Sequence, residues 1–165
     1  MNSTQLHENL KDLHAYANDT DVMFGVQAHD RRALEKLYLT YYGPLARFLS
    51  RVVAQTGAVD EIINDSFVTI WKSAGEFRGE SRAAAWIFGI AYRTAQQSKE
   101  LHRGRGPLRF ADRLERRLNR LPLAERVTLA LAYQMRFSID EIAEITQVAP
   151  VIVRKRMLHA RIGFR

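Results

Sequence analysis

The sequence predicts an all-α protein of two small helical domains joined by a flexible linker. Three observations carry that expectation. Apolar residues recur at helical spacing along most of the chain, and no stretch alternates apolar and polar residues for long enough to suggest a sheet. A charged segment near the middle, LHRGRGPLR, holds two glycines and a proline within four residues, the composition of a tether. The 165 residues are enough for two helical modules of about 50 residues or more, each able to enclose a core.

The elements follow in order. Leu34, Leu37, Tyr38 and Tyr41 form one stripe of a helix over 31–41, which Gly43 and Pro44 are expected to interrupt. Leu45, Phe48, Leu49, Val52 and Val53 point inward from a second helix over 45–54, and Thr56 to Ala58 make a turn. A third helix over 60–72 buries Ile63, Phe67, Ile70 and Trp71, leaving Glu61, Asp65 and Thr69 on another face. Residues 73–81 read as a loop, and a fourth helix over 82–98 carries Trp86, Ile87, Ile90 and Ala91. Past the tether, Pro122 opens a helix to Met135 with Val127, Leu131 and Tyr133 among its apolar positions. Two shorter helices, over 139–145 and 150–161, close the chain. The expected division is an N-terminal extension over 1–25, a first domain over 26–98, a linker over 99–119 and a second domain over 120–165.

Charge and composition narrow the function classes. The chain has a formal charge of +7, with 47% hydrophobic and 10% aromatic residues, which suits packed cores and polyanionic partners. The charge is uneven. Residues 1–30 hold Lys11 against five acidic residues, whereas 93–120 hold nine basic residues against three acidic ones, and every charged residue after Glu144 is basic. With no cysteine, disulfides and thiolate metal sites are excluded, and a reducing cytoplasm is the expected setting. The start lacks the segments of a signal peptide, and the longest apolar stretch, 83–92, is half of the roughly 20 residues a spanning helix needs. The five histidines form no metal-like pair on a firm helix, and neither a phosphate-cradling glycine loop nor a nucleophile elbow is present. An enzyme, a metal site and a cofactor are therefore not expected.

Residues 138–161, SIDEIAEITQVAPVIVRKRMLHAR, carry the markers of a helix-turn-helix. Ser138 and Glu141 form a capping box. Ile142 and Ile145 face inward, small Ala143 permits a close crossing, Val148 fills the corner, and Val153 and Met157 continue the buried seam. Val151, Arg154, Lys155, His159 and Arg161 remain outward on the second helix, with Arg156 at the boundary. Such a face suits the major groove, where phosphate contacts set the register and guanidinium forks grip guanine. The turn position commonly held by glycine is Gln147, which would adopt a positive φ at a cost of order 1 kcal/mol.

Two stretches resemble a known family. DEIINDSFVTIW (60–71) with EFRGESRAAAWIFGIAYRTA (76–95) is similar to region 2 of the extracytoplasmic-function sigma factors, and residues 120–161 resemble region 4 of the same family. The resemblance implies a factor that brings core RNA polymerase, through its β′ and β subunits, to promoter DNA, with an anti-sigma protein as a further partner. It assigns polymerase docking to Asp60, Glu61, Asn64 and Asp65. Reading and melting of the minus-ten element fall to Phe77, Arg78, Gly79, Glu80 and Ser81, with Arg93 on the adjoining helix. Phe77 also reads as an internal anchor of its loop, and Trp86 as a core residue. The minus-thirty-five element falls to Val151, Arg154, Lys155, Arg156, His159 and Arg161; Ile152 and Lys155 stand where many relatives place hydroxyl residues. The acidic head is expected to shield the basic surfaces. Two rival readings are a dimeric helix-turn-helix regulator that binds duplex DNA without polymerase, and a helical adaptor for acidic proteins.

Overall fold

The computed structural model describes residues 19–53, 55–98 and 120–163. The expected linker over 99–119 and most of the acidic head lie outside the described residues. Among the described residues every regular element is helical: α1 (Asp19–Gln27), α2 (Arg31–Val52), α3 (Val59–Ser73), α4 (Ala83–Gln97), α5 (Leu123–Leu129), α6 (Ile139–Thr146) and α7 (Pro150–Gly163). Among them no helix is long and apolar enough to cross a membrane.

Two differences from the sequence expectation concern the first half. Helix α1 has no counterpart in the expected helices, yet its Met23 and Val26 are fully buried against α2. Nine residues with only two core positions give too short a periodic signal to stand out. The expected break at Gly43 and Pro44 is absent, because α2 continues through it. Proline removes one backbone donor there, but its ring is itself buried in a stripe with Leu37, Tyr41, Leu45 and Phe48. Burial of that continuous stripe outweighs one missing hydrogen bond. Asp30 starts the helix by accepting the Arg32 backbone N–H at 2.9 Å.

In the second half, α5 widens into a π turn over Ala130–Gln134, closed by the Met135 N–H on the Ala130 carbonyl at 3.2 Å. Tyr133, expected among the apolar positions, lies exposed on that turn, while Val127 and Leu131 are fully buried. The capping box at Ser138 forms in both directions, and Gln147 ends α6 in the left-handed region at φ 55°.

The hydrophobic core is continuous across both halves. It runs from Met23 through Phe48, Ile63 and Phe88 to Phe137, Ile142, Ile145 and Val153. Helix α4 is the shared element: α2 and α3 cover one side of it and α6 packs on another. At the crossing, a Cβ added to Gly89 of α4 would lie in ordinary contact with the Ile145 Cα at 3.7 Å and closer, at 3.2 Å, to the Arg93 guanidinium, which places both beside this turn of α4. The Phe88 ring meets the Phe137 ring edge-on at 5.1 Å.

Candidate polymerase and nucleic-acid interfaces

Helix α3 buries Ile62, Ile63, Ser66, Phe67 and Ile70, which turns Asp60, Glu61, Asn64 and Asp65 together toward solvent. All four expected docking residues thus share one exposed face. Two tyrosines of α2, one turn apart, hold part of that face in place. The Tyr42 hydroxyl donates to the Asp60 carboxylate at 2.6 Å and the Tyr38 hydroxyl to the Asn64 side-chain oxygen at 3.1 Å. Accepting that hydrogen, the nearby Asp60 charge holds the Tyr42 phenol above its usual range. Sequence reasoning placed Tyr38 on an apolar stripe and missed its polar end.

The loop between α3 and α4 begins with a short 3-10 turn, Ala74–Glu76. Phe77 is buried, packed against Phe24 of α1 and Trp86 of α4 at ring separations of 6.2 and 5.6 Å. Its carbonyl accepts the Gln27 side-chain amide at 2.5 Å. The ring therefore anchors the loop from within and offers no exposed stacking face. Arg78, Gly79 and Glu80 are exposed, and Gly79 holds a φ of +73° that a side chain would resist. Ser81 and Arg93 are half-buried and lie on the side facing α6.

Contacts at that side join the two halves through polar groups. The Ser81 hydroxyl donates to Glu144 at 2.7 Å. Arg82 grips Glu141 with two nitrogens, its NH2 group at 2.8 Å and Nε on the other carboxylate oxygen, while its guanidinium lies 5.5 Å from the Phe137 ring centre. Burial raises the Glu141 carboxyl, but hydrogen bonds from Arg82 and the Ser138 backbone, with the Arg82 charge, bring it net below the usual carboxylate range. The sequence reading did not single out Arg82, Glu141 or Glu144 as contacts between the halves; their long sequence separation leaves no local signal.

On α7 the buried side is Val153 and Ala160. Val151, Arg154, Lys155, His159 and Arg161 are exposed, and Arg156 is half-buried. Burial raises the Tyr92 phenol of α4, an effect that the charge of Arg156 opposes. His159 approaches Glu125 of α5 at 3.7 Å. Ile152, Leu158 and Ile162 are exposed as well, so apolar surface accompanies the cationic groups.

Comparison with known proteins agrees with this architecture. Residues 37–103 match the family model for sigma-70 region 2. The RNA polymerase sigma-H factor of Pseudomonas aeruginosa is 29% identical over 89 residues, 54% of this chain and 46% of that one. The ECF RNA polymerase sigma-E factor of Salmonella typhimurium is 30% identical over 90 residues, 54% and 47% of the two chains. The chain thus matches about half the length of these curated relatives. Among solved structures, CnrH in complex with the cytosolic domain of CnrY superposes with a TM-score of 0.75 at 23% identity, covering 88% of this chain and 93% of CnrH. The sigma factor RpoE of Bartonella quintana, in complex with the anti-sigma factor NepR, gives 0.61 at 19% identity, covering 78% and 92%. At these identities the structural likeness is one of fold. Residues 37–103 thus carry a sigma-70 region 2 domain, and the relatives they resemble are named as extracytoplasmic-function sigma factors.

Proposed function

We propose that this protein binds core RNA polymerase and directs it to promoters as a sigma factor, without a catalytic site of its own. The single observation that carries the reading is the region 2 match over residues 37–103, within which Asp60, Glu61, Asn64 and Asp65 share one exposed face. That face docks on the polymerase, with Tyr38 and Tyr42 fixing two of its members. The loop over 77–81, with Arg93, takes the minus-ten element as it melts, and Phe77 serves as the loop's anchor. The outward residues of α7, Val151, Arg154, Lys155, His159 and Arg161, with Arg156 at their edge, enter the major groove at the minus-thirty-five element. On this reading residues 26–98 and 120–165 are the two working domains and 99–119 joins them, in the cytoplasm where polymerase acts. The complexes named for the two fold neighbours favour a protein antagonist as a further partner, an anti-sigma factor in the RpoE case.

Transcription in vitro with purified core polymerase is the test. The chain should confer initiation at a defined set of promoters, and replacing Asp60 and Asp65 by arginine should weaken binding to core polymerase by about tenfold or more through lost charge complementarity. A folded chain that neither associates with core polymerase nor alters where it starts overturns the reading. A footprint on duplex DNA by the chain alone would favour the stand-alone regulator instead.

A further inference from the structure

We propose that α7 tells bases apart through the 5-methyl groups of thymine, with Val151 and Leu158 as the residues that set the sequence preference. The inference rests on the proposed place of α7 in the major groove and adds to it the chemistry of base selection. Val153 and Ala160 are fully buried, so the line of α7 that points straight away from the body runs half a turn round from them. At about 100° per residue, that line holds Val151, Lys155, Leu158 and Ile162. All four are exposed, the three apolar ones at 62%, 56% and 62%. Arg154 and Arg161 border the line on one side; His159 borders it on the other and approaches Glu125 of α5 at 3.7 Å.

A helix laid in the major groove turns its most outward line to the base edges and its flanks to the phosphate walls. Arg154 and Arg161 therefore lie where phosphates pass, and the groove floor meets valine and leucine. On that floor the one apolar group is the thymine methyl. Valine or leucine set against a guanine, adenine or cytosine edge strips water from a donor or acceptor and gives no partner in return, whereas against thymine it buries a methyl. Lys155 is the single hydrogen-bond donor on the line. Val151 and Leu158 stand about 10 Å apart along the helix axis, which corresponds to about two to three base-pair steps. The preferred site therefore carries two thymines at that separation, on either strand. Helix α7 contains no acidic residue, and its arginines run along the edge of the apolar line, a charge pattern that favours DNA over an apolar protein groove as the occupant.

The experiment selects bound sequences from a randomised duplex library with the full chain, once alone and once with core polymerase. Each thymine of the enriched motif is then replaced by uracil, which removes the methyl and nothing else. With the unsubstituted chain, two such replacements should each weaken binding about fourfold, the worth of one buried methyl. Val151→Ala should bind thymine and uracil alike at one of the two positions, and Leu158→Ala at the other. Leu39→Ala, at an exposed leucine of α2, is the control and should keep both preferences. All three side chains are exposed, so the fold should survive each change, as far-UV circular dichroism would check. The proposal is overturned if uracil is bound as well as thymine throughout, if both alanine variants keep the full preference, or if no motif with thymines is enriched. Alanine variants that weaken association with core polymerase while the thymine preference stays intact would assign the line to a protein partner, and overturn it equally. A methyl preference shown by the chain alone, in a chain that does not direct polymerase, would leave this inference standing and remove the sigma-factor reading.

Discussion

Gln147 closes α6 with φ 55° and ψ 42°, a conformation that places a Cβ too near the following carbonyl. Its side-chain amide recovers little, reaching the Glu144 carbonyl only at 3.4 Å. Gln147→Gly should therefore stabilise the protein by about 0.5–1 kcal/mol, read as a shift of the urea midpoint with an unchanged slope. Asp19 makes a different case. Its side chain is buried beside the Tyr41 hydroxyl, which donates to it, and burial raises its carboxyl above the usual value in spite of that bond and of Lys36 nearby. A carboxyl whose folded pKa is raised contributes most below its unfolded pKa and loses that contribution as pH rises through the folded one. Asp19→Asn should accordingly raise the melting temperature at pH 7, and the gain should shrink as the pH falls toward the ordinary carboxylate range. Thermal unfolding at pH 7 and pH 4 decides; an equal gain at both pH values would show that ionisation of Asp19 plays no part.

At the scale of elements, α1 is the piece whose role is least apparent from its length. Met23 and Val26 fill the top of the core, and Gln27 and Phe24 reach the loop through the Phe77 carbonyl and ring. Met23→Ala should cost about 2–4 kcal/mol, because a fully buried side chain leaves a cavity that the surrounding helices only partly close. The same change should raise hydrogen exchange in residues 77–81 more than at the exposed end of α7, since the loop leans on α1 and α7 does not. Equal changes at both places would mean that α1 supports the core alone. Helix α2 carries a related lesson. Its uninterrupted course through Pro44 keeps Leu37 and Tyr41, before the proline, on one buried stripe with Leu45 and Phe48 after it.

For the molecule as a whole, the continuous core means that the two halves support each other. Both tryptophans, Trp71 and Trp86, lie in the first half, so their fluorescence reports that half alone. Phe137→Ala in the second half removes the ring contact with Phe88 and should lower the tryptophan transition together with the far-UV circular dichroism transition, by about 3–5 kcal/mol if the site does not collapse. Coincident transitions support one cooperative body in the free chain. Two transitions, with only the later residues affected by Phe137→Ala, would show that the halves unfold independently.

By itself the sequence determined the helical class, the capping box at Ser138, the turn at Gln147, the outward cations of α7 and the exposed acidic face of α3. Each is written in neighbours no more than a few turns apart, where spacing and local chemistry suffice. Tertiary structure alone decided that Pro44 lies inside a helix, that Asp19–Gln27 joins the core and that Arg82 meets Glu141. In each of these, burial or charge pairing with residues far along the chain outweighs a local preference of about a kilocalorie or a few, and a local pattern does not record which distant partner will be there.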